Sequence, residues 1–184
     1  MSHSLLLYLS HDGQTRKITE FLAVQMRQAG RQVVVAALAD ANGQMLAAAS
    51  QVVIGAAVRY GRLPQALYAF VGQHQALLAA RANAFFCVNL TARKPGKDTP
   101  QGSVYMRKFL QRSAWQPQQQ AVFAGALQYS RYRWYDREII RLIMRLTNGP
   151  TDPRVDIELT DWPKVTAFAQ QLLTSAPSFT PEAR

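Results

Sequence analysis

The apolar positions of this 184-residue chain fall into two kinds of run. Five of them, Leu5 to Leu9, Val33 to Leu38, Val52 to Ala56, Ala84 to Leu90 and Ala121 to Leu127, are apolar without strict alternation, the pattern of strands covered on both faces. Between them, apolar residues recur at helical spacing. Ile18, Phe21, Leu22 and Met26 form one such set, ending near Gly30; Leu67, Phe70, Val71, Leu77 and Leu78 form a second; Tyr105, Met106, Phe109 and Leu110 form a third. A last helix is expected to start with Thr160 or Asp161 as its cap and Pro163 in its first turn, burying Val165, Phe168, Leu172 and Leu173. The tail beyond it has no apolar face and is expected to fray.

Strands that alternate with helices imply an α/β fold, a five-stranded parallel sheet with helices on both faces. Residues 1–175 are expected to form one domain, with 176–184 as a flexible tail. In such sheets ligands bind beyond the carboxyl ends of the strands, so function is expected in loops 10–15, 57–63 and 90–100. One segment breaks the alternation: residues 129–149, inserted between the fifth strand and the last helix.

Composition narrows the picture. A hydrophobic content of 48% suffices for one well-buried core. The net charge of +10 points to an anionic partner, be it nucleic acid, an acidic membrane surface or a polyanionic small molecule. Cys87 is the single cysteine, so no intrachain disulfide can form and a reducing compartment is expected. Its place in FFCVNL reads as a buried core thiol. No apolar run reaches the roughly 20 residues needed to span a bilayer, and the N-terminus lacks signal-peptide features. The expected location is the cytoplasm or the cytoplasmic side of a membrane. His3, His11 and His74 show no metal-ligand spacing.

The first loop, SHDGQT, places Ser10, Gly13 and Thr15 where the first helix begins, and free backbone N–H groups there make an anion site. It is neither a Walker A nor a GxGxxG motif; it suits one terminal phosphate, or is a turn with Thr15 as a plain helix cap. The Asp12 carboxylate is expected to point away from such a phosphate, because the two charges repel. In the inserted segment, Arg131, Arg133, Arg137, Arg141 and Arg145 oppose only Asp136 and Glu138. A narrow basic stripe beside Ile and Leu residues, with Tyr132, Trp134 and Tyr135 at its start, suits a helix lying in a membrane interface. The alternative is a helix packed on the domain or on a second subunit.

The first loop, together with VVIGAAVRYG (52–61), VNLTARKP (88–95) and RYRWYDR (131–137), resembles the flavodoxin-like proteins. Within them it is similar to the family of menaquinone-dependent protoporphyrinogen IX dehydrogenases. The resemblance covers nearly the whole chain and implies an FMN enzyme that oxidises protoporphyrinogen IX to protoporphyrin IX and passes electrons to a membrane quinone, menaquinone or ubiquinone. By position, Ser10, Asp12, Gly13, Gln14 and Thr15 would surround the FMN phosphate. Ala57, Val58, Arg59, Tyr60 and Gly61, with Asn89, Leu90, Thr91, Ala92, Arg93 and Lys94, would flank the isoalloxazine ring. Position 57 often carries serine in this family; Ala57 leaves only backbone bonding there. The flavin would carry the redox step, so no catalytic triad or carboxylate pair is required, and none is evident. The basic insertion would meet substrate propionates or lipid phosphates, placing the protein at the cytoplasmic face of the inner membrane.

Rival readings remain. A flavodoxin-type electron carrier is usually acidic, and the charge counts against it. An FMN-dependent NAD(P)H:quinone reductase would have the same site. A receiver-type signalling domain lacks its carboxylate after the third strand, and a nucleic-acid binder would hold its arginines in a polar groove. Association into a homo-oligomer stays open.

Overall fold

The computed structural model describes residues 3–127, 138, 142, 144, 145 and 156–175. Five parallel strands form the central sheet: β1 (His3–Leu9), β2 (Val33–Ala37), β3 (Ala49–Ala57), β4 (Ala82–Asn89) and β5 (Gln119–Ala124). Their order is β2-β1-β3-β4-β5. The parallel register pairs Leu6 with Val35 and Val53, Val53 with Ala84, and Phe86 with Ala121. β1, β3, β4 and β5 bury residues on both faces, which is why they read as continuous apolar runs, whereas the edge strand β2 leaves Val34 41% exposed. Leu5, Leu7, Val52, Ile54, Phe85 and Val122 point into one layer, and Leu6, Val53, Phe86 and Phe123 into the other.

The first layer is closed by α2 (Gly43–Ala48), α3 (Gln65–Gln73), α4 (Gln75–Ala79) and α5 (Val104–Arg112), through Leu46, Leu67, Leu78 and Phe109. The second is closed by α1 (Gln14–Gln28) and α6 (Trp162–Ser175), through Ile18, Leu22, Val165 and Phe168. Gly55 is a packing requirement of that second layer: a Cβ there would lie 2.1 Å from Cζ of Phe86. Cys87 is fully buried, as expected, and burial pushes its thiol up to about 12.

Besides shifts at strand ends, such as β3 starting at Ala49 and β4 ending at Asn89, four features differ from the pattern reading. The second strand stops at Ala37, and Leu38–Asp40 turn as a short 3-10 segment. The predicted helix across Leu67 to Leu78 divides at His74, whose φ of −112° and ψ of 17° leave the helical region. The short α2 was not predicted; it holds because Asn42 Oδ1 accepts from Met45 N at 3.0 Å. The predicted fifth strand breaks at Gly125, and Ala126–Leu127 become β6, paired antiparallel with β7 (Ile157–Glu158). At α6 the choice of cap is resolved: Asp161 Oδ1 accepts from Lys164 N at 3.1 Å, whereas Thr160 Oγ1 donates to Ala124 O at 2.8 Å.

Of the inserted segment, Glu138, Leu142, Met144 and Arg145 are described, all helical. Met144 is buried with Leu127, against Leu90, Ile157 and Leu159. Leu142 is 58% exposed, and Arg145 faces solvent. The expectations for Arg131, Tyr132, Arg133, Trp134, Tyr135, Arg137, Arg141 and the tail 176–184 lie outside the described residues.

Candidate functional site

The three loops singled out by topology converge on a cleft of about 430 Å³ at the carboxyl edge of the sheet. That size lies within the usual range of small-molecule sites, roughly 300–1,000 Å³.

One end of the cleft is built by the β1–α1 loop, where Ser10, Asp12, Gln14 and Thr15 line the wall. Gly13 caps α1 with a φ of 97°, a left-handed conformation that a side chain would strain. Its amide donates to Ser10 Oγ at 3.1 Å, which ties the loop into a tight turn. Thr15 is therefore not the cap: it sits inside the first helical turn and is 1% exposed. Its Oγ1 is buried without a hydrogen-bond partner. Such an orphaned hydroxyl costs about 1–3 kcal/mol unless a ligand meets it. The first amides of α1 also lack intrahelical acceptors, so this end offers convergent donors and the positive end of a helix dipole.

The remaining loop side chains have other engagements. Gln14 Nε2 donates to Glu158 Oε1 and Thr160 Oγ1, both at 2.9 Å, so its amide side chain braces β7 against α1. Asp12 lines the cleft, and its Oδ1 lies 3.9 Å from Arg59 Nη1 on the facing loop. An Asp12 carboxylate held toward that cation is directed by an opposite charge rather than left to repel a neighbouring anion.

The β3–α3 wall is a two-residue hairpin. Arg59 and Arg62 exchange both backbone bonds, at 2.9 and 3.1 Å, around Tyr60 and Gly61, whose φ values are 47° and 73°. Positive φ at both central positions matches the sheet twist. Tyr60 pays for it in backbone strain, as residues at functional sites often do. It is 57% exposed on the rim, with the Arg59 guanidinium 5.0 Å from its ring centroid. Below the hairpin, Val58 N donates to Val88 O at 2.8 Å, which joins this wall to the next.

The β4–α5 wall starts at Asn89, whose Oδ1 accepts from Ala92 N at 3.0 Å and Thr91 Oγ1 at 2.6 Å. Asn89, Leu90 and Thr91 face the cleft. Ala92, Arg93 and Lys94 do not: Ala92 is 5% exposed in the core, Arg93 Nη1 folds back onto Leu90 O at 2.8 Å, and Lys94 points to solvent. Four wall residues escaped the sequence reading: Val88, Tyr105, Gly125 and Ala126. The glycine inside the fifth apolar run was the available signal, since an isolated strand glycine marks a break or a close backbone approach. Burial raises the Tyr105 phenol above its ordinary value.

The cleft thus has a donor-rich, anion-binding end and an apolar end made by Ala57, Val58, Leu90 and Ala126 between two tyrosines. Among the described residues no His, Cys, Asp and Glu cluster is placed to hold a metal ion.

The comparisons with known proteins agree with this geometry. The family described as "Flavodoxin domain" matches residues 5–154. The chain is 45% identical over 177 residues to the protoporphyrinogen IX dehydrogenase [quinone] of Escherichia coli (strain K12), covering 95% of this chain and 98% of that protein. It is 44% identical over 166 residues to the protein of the same name from Leishmania major, covering 90% of this chain and 72% of that one. Among solved structures, oxidised Flavodoxin 2 from Bacillus cereus superposes with a TM-score of 0.58 at 18% identity, over 94% of this chain and 99% of that one. The chain is a flavoprotein of the flavodoxin-domain family and belongs, within it, to the family of the protoporphyrinogen IX dehydrogenases [quinone].

Proposed function

We propose that this protein uses FMN to oxidise protoporphyrinogen IX to protoporphyrin IX in haem synthesis and passes the electrons to a membrane quinone. The observation that carries the choice of FMN is the orphaned, buried Thr15 Oγ1 at the N-terminus of α1, inside the cleft. A terminal phosphate meets that hydroxyl, the Ser10 side and the first amides of α1 with the acceptors they lack. Gln14 contributes its backbone, because its side chain is held by Glu158 and Thr160. Among the wall residues, Tyr60 and Tyr105 offer aromatic faces to a flat ring, and Asn89 orders the 90s loop beside it.

Bound FMN supplies the two-electron chemistry, of which the six-electron oxidation of a porphyrinogen needs three rounds. The chain's own part is to hold, orient and shield. The Val58–Val88 backbone bond keeps the two ring walls in register, and the apolar wall at Ala57, Leu90 and Ala126 excludes water from the ring. Arg59, braced by Asp12 and Tyr60, places a fixed positive charge on the rim. Near a bound flavin, that charge would favour negative charge on the reduced ring.

The basic-aromatic insertion is the proposed contact with the anionic membrane surface or with substrate propionates, through Arg131, Arg133, Trp134, Arg137, Arg141 and Arg145, at the cytoplasmic face. Met144 anchors this segment beside Leu90 of the cleft wall, with Leu142 turned outward. Among the described residues no helix is long and apolar enough to cross a membrane. The test is the visible spectrum of the purified protein after FMN addition, followed by anaerobic mixing with protoporphyrinogen IX or with NADPH. Flavin bands bleached by the porphyrinogen are expected. Absence of flavin bands overturns the cofactor, and bleaching by NADPH alone makes the protein an NAD(P)H:quinone reductase.

A further inference from the structure

The charge of this chain is divided unevenly. Between Ala41 and Tyr135 there are eleven Lys and Arg residues against the single acid Asp98, whereas the rest of the chain carries ten of each sign. The whole net charge of +10 therefore resides in that stretch. Even its one carboxylate is neutralised, since Asp98 Oδ2 lies 2.5 Å from Lys164 Nζ.

The fold sets part of this charge around the cleft mouth. The hairpin after β3 and the loop after β4 both lie at the carboxyl edge of the sheet, and they bring Arg59, Arg62, Arg93, Lys94 and Lys97 to the rim. Arg62, Lys94 and Lys97 are exposed. Two of the large apolar residues exposed on the described surface stand among them: Tyr60 at 57% and Val104 at 40%, next to the cleft residue Tyr105. Of the described acids at this edge, Asp161 caps α6 through Lys164 N, and Asp156 precedes β7. Asp40 follows β2 at the far side of the sheet, Asp12 faces Arg59, and Glu158 holds Lys17 at 2.7 Å.

We infer that this rim is a docking face for an anionic lipid surface, set so that the cleft opens onto the membrane. The inference rests on the quinone-acceptor reading for its choice of partner. Cations interleaved with an exposed aromatic and an exposed aliphatic side chain match a headgroup layer, where the charges meet phosphates and the tyrosine sits at the interface. A polar groove for nucleic acid would lack the apolar tips. The face is built from residues of the β3–α3 and β4–α5 loops rather than from the inserted segment. A lipid-soluble acceptor then reaches the ring without leaving the bilayer.

The experiment is co-sedimentation of the full chain, loaded with FMN, with phosphatidylcholine vesicles in which about a third of the lipid is phosphatidylglycerol. Each basic residue near such a surface is worth a factor of about five. The double variant R62E/K97E, outside the cleft wall, should therefore lose affinity by about 30-fold or more. The matched variant R27E/R31E, at the amino edge of the sheet, should lose only a few-fold. Equal losses in the two variants, or an unchanged R62E/K97E, overturn the docking face. Flavin absorbance is read on the same samples: vesicle binding without flavin refutes the cofactor reading and leaves the docking face standing, whereas flavin retained without vesicle binding does the reverse.

Discussion

Thr15 shows how one hydroxyl can weigh against folding and for binding. Its Oγ1 is buried and unpartnered, so Thr15→Val should leave the flavin-free protein equally stable or more stable by about 1 kcal/mol in urea denaturation. The same change should weaken FMN binding by about 10-fold or more, read by quenching of flavin fluorescence, because a hydrogen bond to a charged group is lost. A helix cap would behave in the opposite way, and the sequence alone could not separate the two roles. Tyr60 carries the second trade. Replacing it by glycine at φ 47° should hold stability constant or raise it by up to about 1 kcal/mol, while flavin dissociation becomes faster. Asp12 is the third residue whose role needed coordinates. With its carboxylate 3.9 Å from Arg59, Asp12→Asn frees that cation toward the phosphate, and FMN affinity should be unchanged or raised at low salt; a large loss would make the carboxylate part of the site.

At the level of elements, the apolar runs and helical spacings located every strand of the main sheet and the long helices, because burial on two faces leaves a local mark. Its ends were less legible. The break of the fifth run at Gly125 depends on β7, which arrives from some thirty residues later in the chain to pair with Ala126 and Leu127. The 90s loop is also decided by a distant approach: a Cβ on Gly102 would lie 1.6 Å from the carbonyl oxygen of Gly96. Gly102→Ala should cost on the order of 1–3 kcal/mol and loosen flavin binding together, since that loop carries Leu90 and Thr91 into the cleft wall.

For the whole molecule, two ion pairs fasten the C-terminal elements to the body, and they set its acid limit. Hydrogen bonding from Lys164 holds the Asp98 carboxyl below its ordinary value. Burial would raise Glu158, but Lys17 and Gln14 together hold it below as well. Both groups are depressed in the folded state, so their stabilisation is full above the unfolded values, about 3.9 and 4.3, and is lost as pH falls below these. The urea midpoint should therefore decline below about pH 4, and Asp98→Asn should flatten part of that decline. The sequence by itself determined the layered α/β plan, the three loops that meet at the site and the excess of positive charge, because hydrophobic period and composition are local properties. Which residues of those loops face the cleft, the pairing of Asp12 with Arg59, the burial of Thr15 Oγ1 and the gathering of the cations around one mouth were decided by tertiary structure alone. Each depends on a partner remote in the chain, and neither period nor spacing records such partners.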